Sequence, residues 1–308
     1  MILRDRPSGF KLFLLWRGSM LPRILPVLVF NVVLAVLVTL THGEWFHFKV
    51  TMTAIPFTLM GLPLAIFLGF RNSAAYDRYW EARKLWGELV LRSRNLSRQC
   101  LHLIEPPPPD VPDLRRRMVL RAVAFCHALR VQLRRSSDTR AIEAMLSAEE
   151  WRAVQASGNR PAALMLHMGA DLATCRHQGQ IDGPLLAQID DTLSAMTGAA
   201  ASCERISGTP IPFPYTLLLH RTAYIYCLLL PFGLVDIVGV MTPLVVGVIA
   251  YTFFALDALG DEIEEPFGAL PHHLPLDAMC RAIEINLLEA LGETELPPPL
   301  KPVDYCLL

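Results

Sequence analysis

Four long apolar runs constrain more than any other feature how this chain can fold. Residues 24–40 and 50–70 form a first pair, and residues 213–234 and 235–259 form a second pair. Each run approaches or exceeds the roughly 20 residues that an α-helix needs to cross the core of a bilayer. A mean hydropathy of +0.36 agrees, because soluble chains of this length are less apolar. The sequence therefore predicts an integral membrane protein with four transmembrane helices in two hairpins.

Basic residues beside the first pair of runs predict the orientation of the hairpins. Arginine and lysine precede residue 24 and follow residue 70, whereas the segment between the two runs carries only Lys49. Basic residues are enriched on the cytosolic side of membrane spans. We therefore expect a multi-pass protein of the cell membrane whose two termini and large middle region are cytosolic.

The apolar runs also divide the chain into four segments. The predicted segments are 1–70 with the first hairpin, a cytosolic domain at 71–212, the second hairpin at 213–259, and a cytosolic C-terminal segment at 260–308. Within the middle segment the apolar residues recur at spacings of three and four, which is the period of a helix. The predicted fold class is therefore all-α, with four transmembrane helices and a helical cytosolic domain.

Two helices of the middle region have recognisable ends. One is predicted to begin near Asp113, a suitable N-cap that follows a proline run, and a second to extend from about Pro184 to Ile206 and end at Gly208. Aspartate caps the free N–H groups of a first turn, and glycine is common just after a last turn. No alternating strand pattern competes with these helices.

The composition and motifs favour neither an enzyme nor a nucleic-acid-binding protein. A formal net charge of −1 provides no basic excess for binding phosphates. The sequence contains no glycine-rich phosphate loop, nucleophile elbow or zinc-type spacing, so we predict no catalytic residue and no cofactor. Neither the adjacent pair His272 and His273 nor the acidic run at 261–265 has the spacing of a metal site, and no metal is predicted.

Four ionisable residues lie within the second pair of runs: His220 and Arg221 in the third span, and Asp236 and Asp257 near the ends of the fourth. A charge that faces lipid is costly and persists only when it is paired or hydrated. Two interpretations are open. Arg221 pairs with a carboxylate or carbonyl, or reaches the membrane interface, or the four residues form a polar network on the path of an ion.

Three blocks of sequence resemble the bestrophin family, in particular its bacterial branch. The first block is RNSAAYDRYWEARKLWG at 71–87, directly after the second span. The second is TPIPFPYT at 209–216 with PFGLVD at 231–236, and the third is EIEEPFG at 262–268 with LPLD at 274–277. The blocks follow one another in the order expected of the family and cover nearly the whole chain.

This resemblance implies an ion channel subunit that assembles in the lipid bilayer as a homopentamer around one central pore. In that family three apolar side chains of the second span form a narrow neck, and the matching positions are Leu62, Ile66 and Phe70. A second constriction at the cytosolic aperture matches Ile181. The spacing of the neck residues places them along one helical stripe that rises ~12 Å, and stacked apolar rings can close a pore by dewetting.

The resemblance leaves the permeating ion open. Eukaryotic members resemble anion channels and bacterial members can favour monovalent cations, and apolar neck residues do not decide between them. Eukaryotic members also carry a dense acidic run for calcium after Pro-Phe-Gly, where this chain has Ala269 to His273, so calcium gating is not expected.

A secondary transporter of a small ion or solute is the alternative function. Paired hairpins and helices that contain glycine or proline, as at Gly61 and Pro63, are also typical of transporters. A membrane-anchored enzyme is disfavoured by the missing catalytic groups, and a purely structural scaffold by the three family blocks.

Overall fold

The structure is a computed structural model that describes residues 1–4, 9, 15–41, 44–45, 48–49, 52–108 and 111–308. The regular elements within these residues are helices apart from one short hairpin, in agreement with the predicted all-α class. The helices are α1 (Leu21–Leu40), α2 (Ile55–Leu103), α3 (Leu114–Leu133), α4 (Arg140–Glu143), α5 (Ala148–Gln155), α6 (Arg160–His177), α7 (Gly183–Gly208), α8 (Phe213–Val238), α9 (Thr242–Glu264) and α10 (Leu276–Ala290). The hairpin pairs β1 (Glu44–Trp45) with β2 (Phe48–Lys49) in antiparallel register.

The chain forms two compact units. The first contains Met1–Arg4, Trp80–Thr209 and Pro266–Leu308, and we call it the helical unit. The second contains Asp5–Tyr79 and Pro210–Glu265, and we call it the membrane unit because it holds the apolar helices. Helix α2 contributes its first half to the membrane unit and its second half to the helical unit.

Three helical stretches of the described residues are long and apolar enough to cross a membrane: Leu21–Leu40, Ala54–Leu103 and Phe213–Glu264. The third consists of α8 and α9, which are joined by a 3₁₀ turn at Gly239–Met241. This break lies a few residues beyond the predicted junction at 234/235, because α8 continues through Pro231 and ends where Gly239 adopts a φ of +57°. Glycine enters that left-handed region without steric cost.

The core of the membrane unit consists of side chains from α1, α2, α8 and α9. Phe57 of α2 meets Tyr226 of α8 edge to face, with ring centroids 5.9 Å apart. Gly233 of α8 lies against the same Phe57 ring, and a Cβ at this glycine would stand 2.2 Å from Cε2 of the ring. Small residues allow membrane helices to approach this closely.

In the helical unit α3 is the central element and packs against α6, α7 and α10. Asp113 caps α3 as predicted, since its carboxylate accepts a hydrogen bond from the N–H of Arg115 at 3.0 Å. The second predicted helix is α7, and its N-cap is Asp182, which accepts from the N–H of Leu185 at 2.9 Å. The predicted start near Asp113 is confirmed by this cap, and α7 begins one residue before the predicted Pro184.

Candidate pore-lining helix and buried ion-pair network

The membrane half of α2 is buried along one narrow stripe. The buried residues recur at spacings of three, four and seven, and they are Phe57, Leu64, Leu68, Arg71 and Ala75. Helices whose packed residues repeat every 3.5 positions contact their neighbours along a single seam. The rest of this half-helix is therefore left uncovered by its own protomer.

The predicted neck residues lie on the face opposite this seam. Leu62, Ile66 and Phe70 are 67%, 46% and 62% exposed. At 100° per residue, Ile66 points directly away from the midpoint between Leu64 and Leu68, and the three side chains span an arc of about 80°. The structure thus brings the three residues together as one outward-facing apolar stripe.

The same face continues toward the start of α2. Ile55 and Leu59 lie within about 20° of Ile66 on the helix, and both are more than half exposed. Met60 and Phe67 instead lie about 100–120° to one side and are each 49% exposed. These two lateral residues are the matched controls for any test of the stripe.

Ile181, the predicted aperture residue, lies in the turn before α7 and is only 4% exposed. The carbonyl of the preceding Gln180 accepts a hydrogen bond from the N–H of Glu105 at 2.9 Å, which holds this turn in place. A side chain that is covered within its own protomer presents little surface to a conduit. The aperture role of Ile181 stays a prediction, and its burial argues against it.

Of the four ionisable residues in the apolar runs, the structure brings two together. Nδ1 of His220 lies 2.7 Å from Oδ2 of Asp257, which joins α8 to α9. Arg221 and Asp236 are exposed on α8 and take no part in the ion pairs of Asp257. Asp236, assigned from the sequence to the fourth span, lies in the last turn of α8. The role of the four residues as one polar network stays a prediction.

The main member of this network is Arg71, which sequence analysis treated as a basic flank of the second span. Its side chain is completely buried, with Nη1 at 2.8 Å from Oδ1 of Asp257. Nη2 pairs with Asp261 and lies 3.5 Å from Oε2 of Glu264. Two features of the sequence could have indicated this burial. Arg71 continues the spacing of the buried stripe, and its partners Asp257, Asp261 and Glu264 follow one another at spacings of four and three on α9.

Arg23 connects α1 to the same carboxylates. Its guanidinium lies 3.2 Å from Oδ2 of Asp261 and 3.3 Å from Oε1 of Glu262. The Glu264 carboxylate also accepts a hydrogen bond at 3.0 Å from the N–H of Ile211, just before α8. Asp261, Glu262 and Glu264, which belong to the acidic run without metal-site spacing, are therefore bound to arginines of α1 and α2.

These carboxylates are not gathered around a cation site. Among the residues that the structure describes, no group of three or more His, Cys, Asp or Glu side chains is arranged to hold a metal ion. The acidic side chains at 257, 261, 262 and 264 instead pair with Arg23, Arg71 and His220. Their arrangement supports a network that fixes helices.

Comparison with known proteins decides the family. Residues 1–289 match the family model for bacterial and fungal bestrophin proteins. The chain belongs to the bestrophin family. A voltage-dependent anion channel-forming protein of Mesorhizobium japonicum is 46% identical to this bestrophin, in an alignment that covers 99% of this chain and 96% of that protein. The voltage-dependent anion channel-forming protein YneE of Escherichia coli is 40% identical over 98% of each chain.

The fold agrees with solved bestrophins. A crystal structure of a bacterial bestrophin homologue from Klebsiella pneumoniae superposes with a TM-score of 0.83 at 38% identity, covering 88% of this chain and 100% of that chain. A tryptophan-to-alanine variant of that homologue gives a TM-score of 0.82 at 38% identity, covering 90% of this chain and 100% of that chain. The resemblance inferred from the three sequence blocks is therefore confirmed, and the predicted channel function agrees with the names of the relatives.

Proposed function

We propose that this bestrophin is an ion channel subunit of the cell membrane, and that α2 helices from five copies line one central pore. The observation that carries this proposal is the membrane half of α2, which is packed on one seam and exposes an apolar stripe on the other side. One copy of a helix cannot enclose a conduit, so such a stripe needs symmetry mates. A ring of identical helices would turn all the stripes toward a common axis.

Leu62, Ile66 and Phe70 form the neck of this pore. Each contributes one ring of apolar side chains, and the three rings stack over ~12 Å of helix rise. Water and hydrated ions are disfavoured in a narrow apolar tube, which allows the neck to limit current without a physical plug. The permeating ion is an inorganic anion in the first instance, because the relatives are named as anion channel-forming proteins.

The membrane topology follows from the apolar helices and their basic flanks. Helices α1, α8, α9 and the first half of α2 supply four spans of about 20 residues or more, each long enough for the bilayer core. The flanking arginines assign both termini and the helical unit to the cytosol. The hairpin of β1 and β2 and the turn at Gly239–Met241 then lie on the opposite side.

The experiment that tests the channel is planar-bilayer recording of the purified protein in asymmetric salt. We expect discrete current steps whose reversal potential gives the sign of the permeating ion. Saturable flux without unitary currents would instead favour the secondary transporter.

The neck is tested by replacing Leu62, Ile66 and Phe70 together with alanine, after the mass of the detergent-solubilised oligomer has been checked. Unitary conductance should rise several-fold, because a wider tube holds water more readily. The control replaces the lateral residues Met60 and Phe67 with alanine and should conduct like the wild type. Unchanged conductance of the triple variant in an intact pentamer would place the constriction elsewhere.

A further inference from the structure

Arg71 occupies the position directly after Phe70 on α2, yet the two side chains have opposite environments. Phe70 is 62% exposed, whereas the Arg71 side chain is fully buried. Successive residues of a helix point about 100° apart. Whatever holds the Arg71 guanidinium therefore also sets the direction in which Phe70, one turn beyond Ile66, points.

The partners of Arg71 come from one other helix and hold it at several points. Nη1 contacts Asp257, and Nη2 contacts Asp261 and Glu264, so the planar guanidinium lies across two turns of α9. Nη1 also lies 3.5 Å from the carbonyl oxygen of Asp257. Arginine presents its donors in a rigid fork, which gives such a contact a defined orientation as well as attraction.

Close packing at Gly260 supports the same contact. A Cβ at Gly260 would stand 2.4 Å from Oδ1 of Asn72 and 3.5 Å from Cζ of Arg71. Glycine at this position therefore lets α9 approach α2 between the two turns that carry the partners of Arg71. Rotation of α2 would have to break these ion pairs and this packing together.

Asp257 extends the contact to a third helix. One carboxylate oxygen accepts from Arg71 at 2.8 Å and the other lies 2.7 Å from Nδ1 of His220. The imidazole of His220 is 44% exposed in the protomer and lies about two turns from the start of α8, the end that the proposed topology assigns to the cytosol. Histidine changes charge in the physiological pH range, whereas arginine stays charged.

We propose that Arg71 is a positioning residue that holds the apolar stripe of α2 toward the pore, and that His220 adjusts this hold through Asp257 in response to protons. The proposal rests on the proposed channel function. A protonated His220 gives a charge-assisted bond to Asp257, which tightens the link between α8, α9 and α2. Acidic pH on the side of the His220 end of α8 should therefore keep the neck narrow and reduce current.

The groups around His220 agree with a tighter link between the helices at acidic pH. Asp257 contacts the imidazole directly, the ring of Tyr224 lies 4.2 Å away on the same helix, and Arg221 is the exposed neighbour. The further charged groups of the network are Arg71 from α2, Arg23 from α1, and Asp261, Glu262 and Glu264 from α9. Asp257 is the carboxylate that a histidine cation at position 220 would contact directly.

The first test is the pH profile of open probability in planar bilayers. Wild-type open probability should fall several-fold when the cytosolic bath is changed from about pH 7.5 to about pH 5.5, and His220→Gln should abolish this fall because glutamine does not titrate in that range. The control is His177→Gln, at the exposed end of α6, which should keep the wild-type profile. A His220→Gln pentamer with the wild-type profile would overturn the proton response.

The second test replaces Arg71 itself. Arg71→Gln should raise open probability several-fold near neutral pH and flatten the pH profile, and Arg71→Lys should restore only part of the wild-type behaviour because a point charge cannot span three carboxylates. Wild-type open probability in an intact Arg71→Gln pentamer would overturn the positioning role. If that variant does not assemble, Arg71→Lys decides, because wild-type open probability with a lysine at this position would overturn the role in the same way. Absence of wild-type current, or of any neck effect, would instead contradict the proposed channel.

Discussion

The two halves of α2 bury the same kind of stripe but expose different chemistry. In the membrane unit the face opposite the seam carries Leu62, Ile66 and Phe70. In the helical unit the seam continues through residues such as Trp86 and Leu89, while most of the exposed residues are polar or charged. These include Arg83, Lys84, Arg94, Arg98 and His102, with Trp80 and Leu91 as apolar exceptions.

One face of α2 therefore reflects packing within the protomer, and the opposite face reflects what surrounds the protomer. The seam depends on packing within the protomer, where apolar side chains fill the space and Arg71 is buried together with its carboxylate partners. The opposite face responds to what surrounds the protomer, since a helix in water needs polar residues there and a helix in lipid or in an apolar neck does not. The experiments below test that distinction, beginning with the largest expected effect.

Chemical labelling should reach a site in the membrane unit from outside the cell and a site in the helical unit only from inside. Val240, 84% exposed in the turn between α8 and α9, and Leu166, 74% exposed on α6, are each replaced by cysteine. An impermeant maleimide should label Val240→Cys in intact cells and Leu166→Cys only after the membrane is opened. Reversed labelling would overturn the proposed topology.

The native thiols contribute little background to this experiment. Cys126 and Cys280 are buried, and desolvation raises the pKa of the Cys126 thiol to about 12 and that of Cys280 well above its ordinary value. Thiol reagents react with the thiolate, so these side chains stay unreactive near neutral pH. The cysteine at 306 is partly exposed, and Cys306→Ser provides a clean parent protein.

Truncating leucines should distinguish the seam from the opposite face in the helical half of α2. Leu89 is completely buried and Leu91 is 52% exposed. Leu89→Ala should lower the free energy of unfolding by about 2–5 kcal/mol because it leaves a cavity, and Leu91→Ala by less than about 1 kcal/mol. Thermal unfolding of the solubilised protein measures both.

Alanine substitutions on the two faces of the membrane half of α2 allow the same comparison. Leu68→Ala should destabilise the protein much as Leu89→Ala does, since Leu68 is also fully buried. Ile66→Ala should leave stability nearly unchanged and alter conductance instead. Equal destabilisation by Leu68→Ala and Ile66→Ala would mean that α2 has no free face in the assembly.

Acid should weaken the helical unit through Asp277, whose carboxylate pairs with Arg130 and Arg134. Burial alone would raise the pKa of Asp277, but the two arginines outweigh it and hold that pKa below its ordinary value. A lowered pKa in the folded state adds stability above the unfolded pKa of about 3.9, and this stability disappears as pH falls through the folded value.

Asp277→Asn should therefore cost about 1.5–3 kcal/mol at neutral pH and progressively less below about pH 4. Asp191→Asn is the control, because Asp191 has a 78% exposed side chain at 3.8 Å from Arg92 and should change stability by less than about 0.5 kcal/mol. Unfolding midpoints at acidic and neutral pH give the comparison. A cost for Asp277→Asn that is independent of pH would contradict the ionic account.

Glycine-to-alanine changes at two positions should affect stability in opposite directions. Gly233→Ala places a methyl group against Phe57 and should cost about 1–3 kcal/mol. Gly198→Ala in α7 meets no atom within 4 Å and should stabilise the protein by up to about 1 kcal/mol, because alanine favours the helix. Similar effects at the two positions would show that the membrane helices repack around Gly233.

Features that depend on residues close together in the sequence could be predicted from the sequence. The cap at Asp113 acts within a turn, and the apolar runs are recognised by their length alone. The stripe of Leu62, Ile66 and Phe70 follows from helix period and from resemblance to bestrophins. Its exposure does not follow, because the period gives the set of residues on a face and leaves open which face is packed.

The sequence by itself determined two helices of the middle region, the apolar runs and the family, since these depend on local period, local caps and short blocks of residues. Only the tertiary structure decided that Arg71 is buried against Asp257, 186 positions away along the chain, and that Ile181 is covered. It also decided that His220 has a partner while Arg221 is exposed. A charged residue at a span boundary suits both the interface and the interior, and the helix packed beside it determines which environment it occupies.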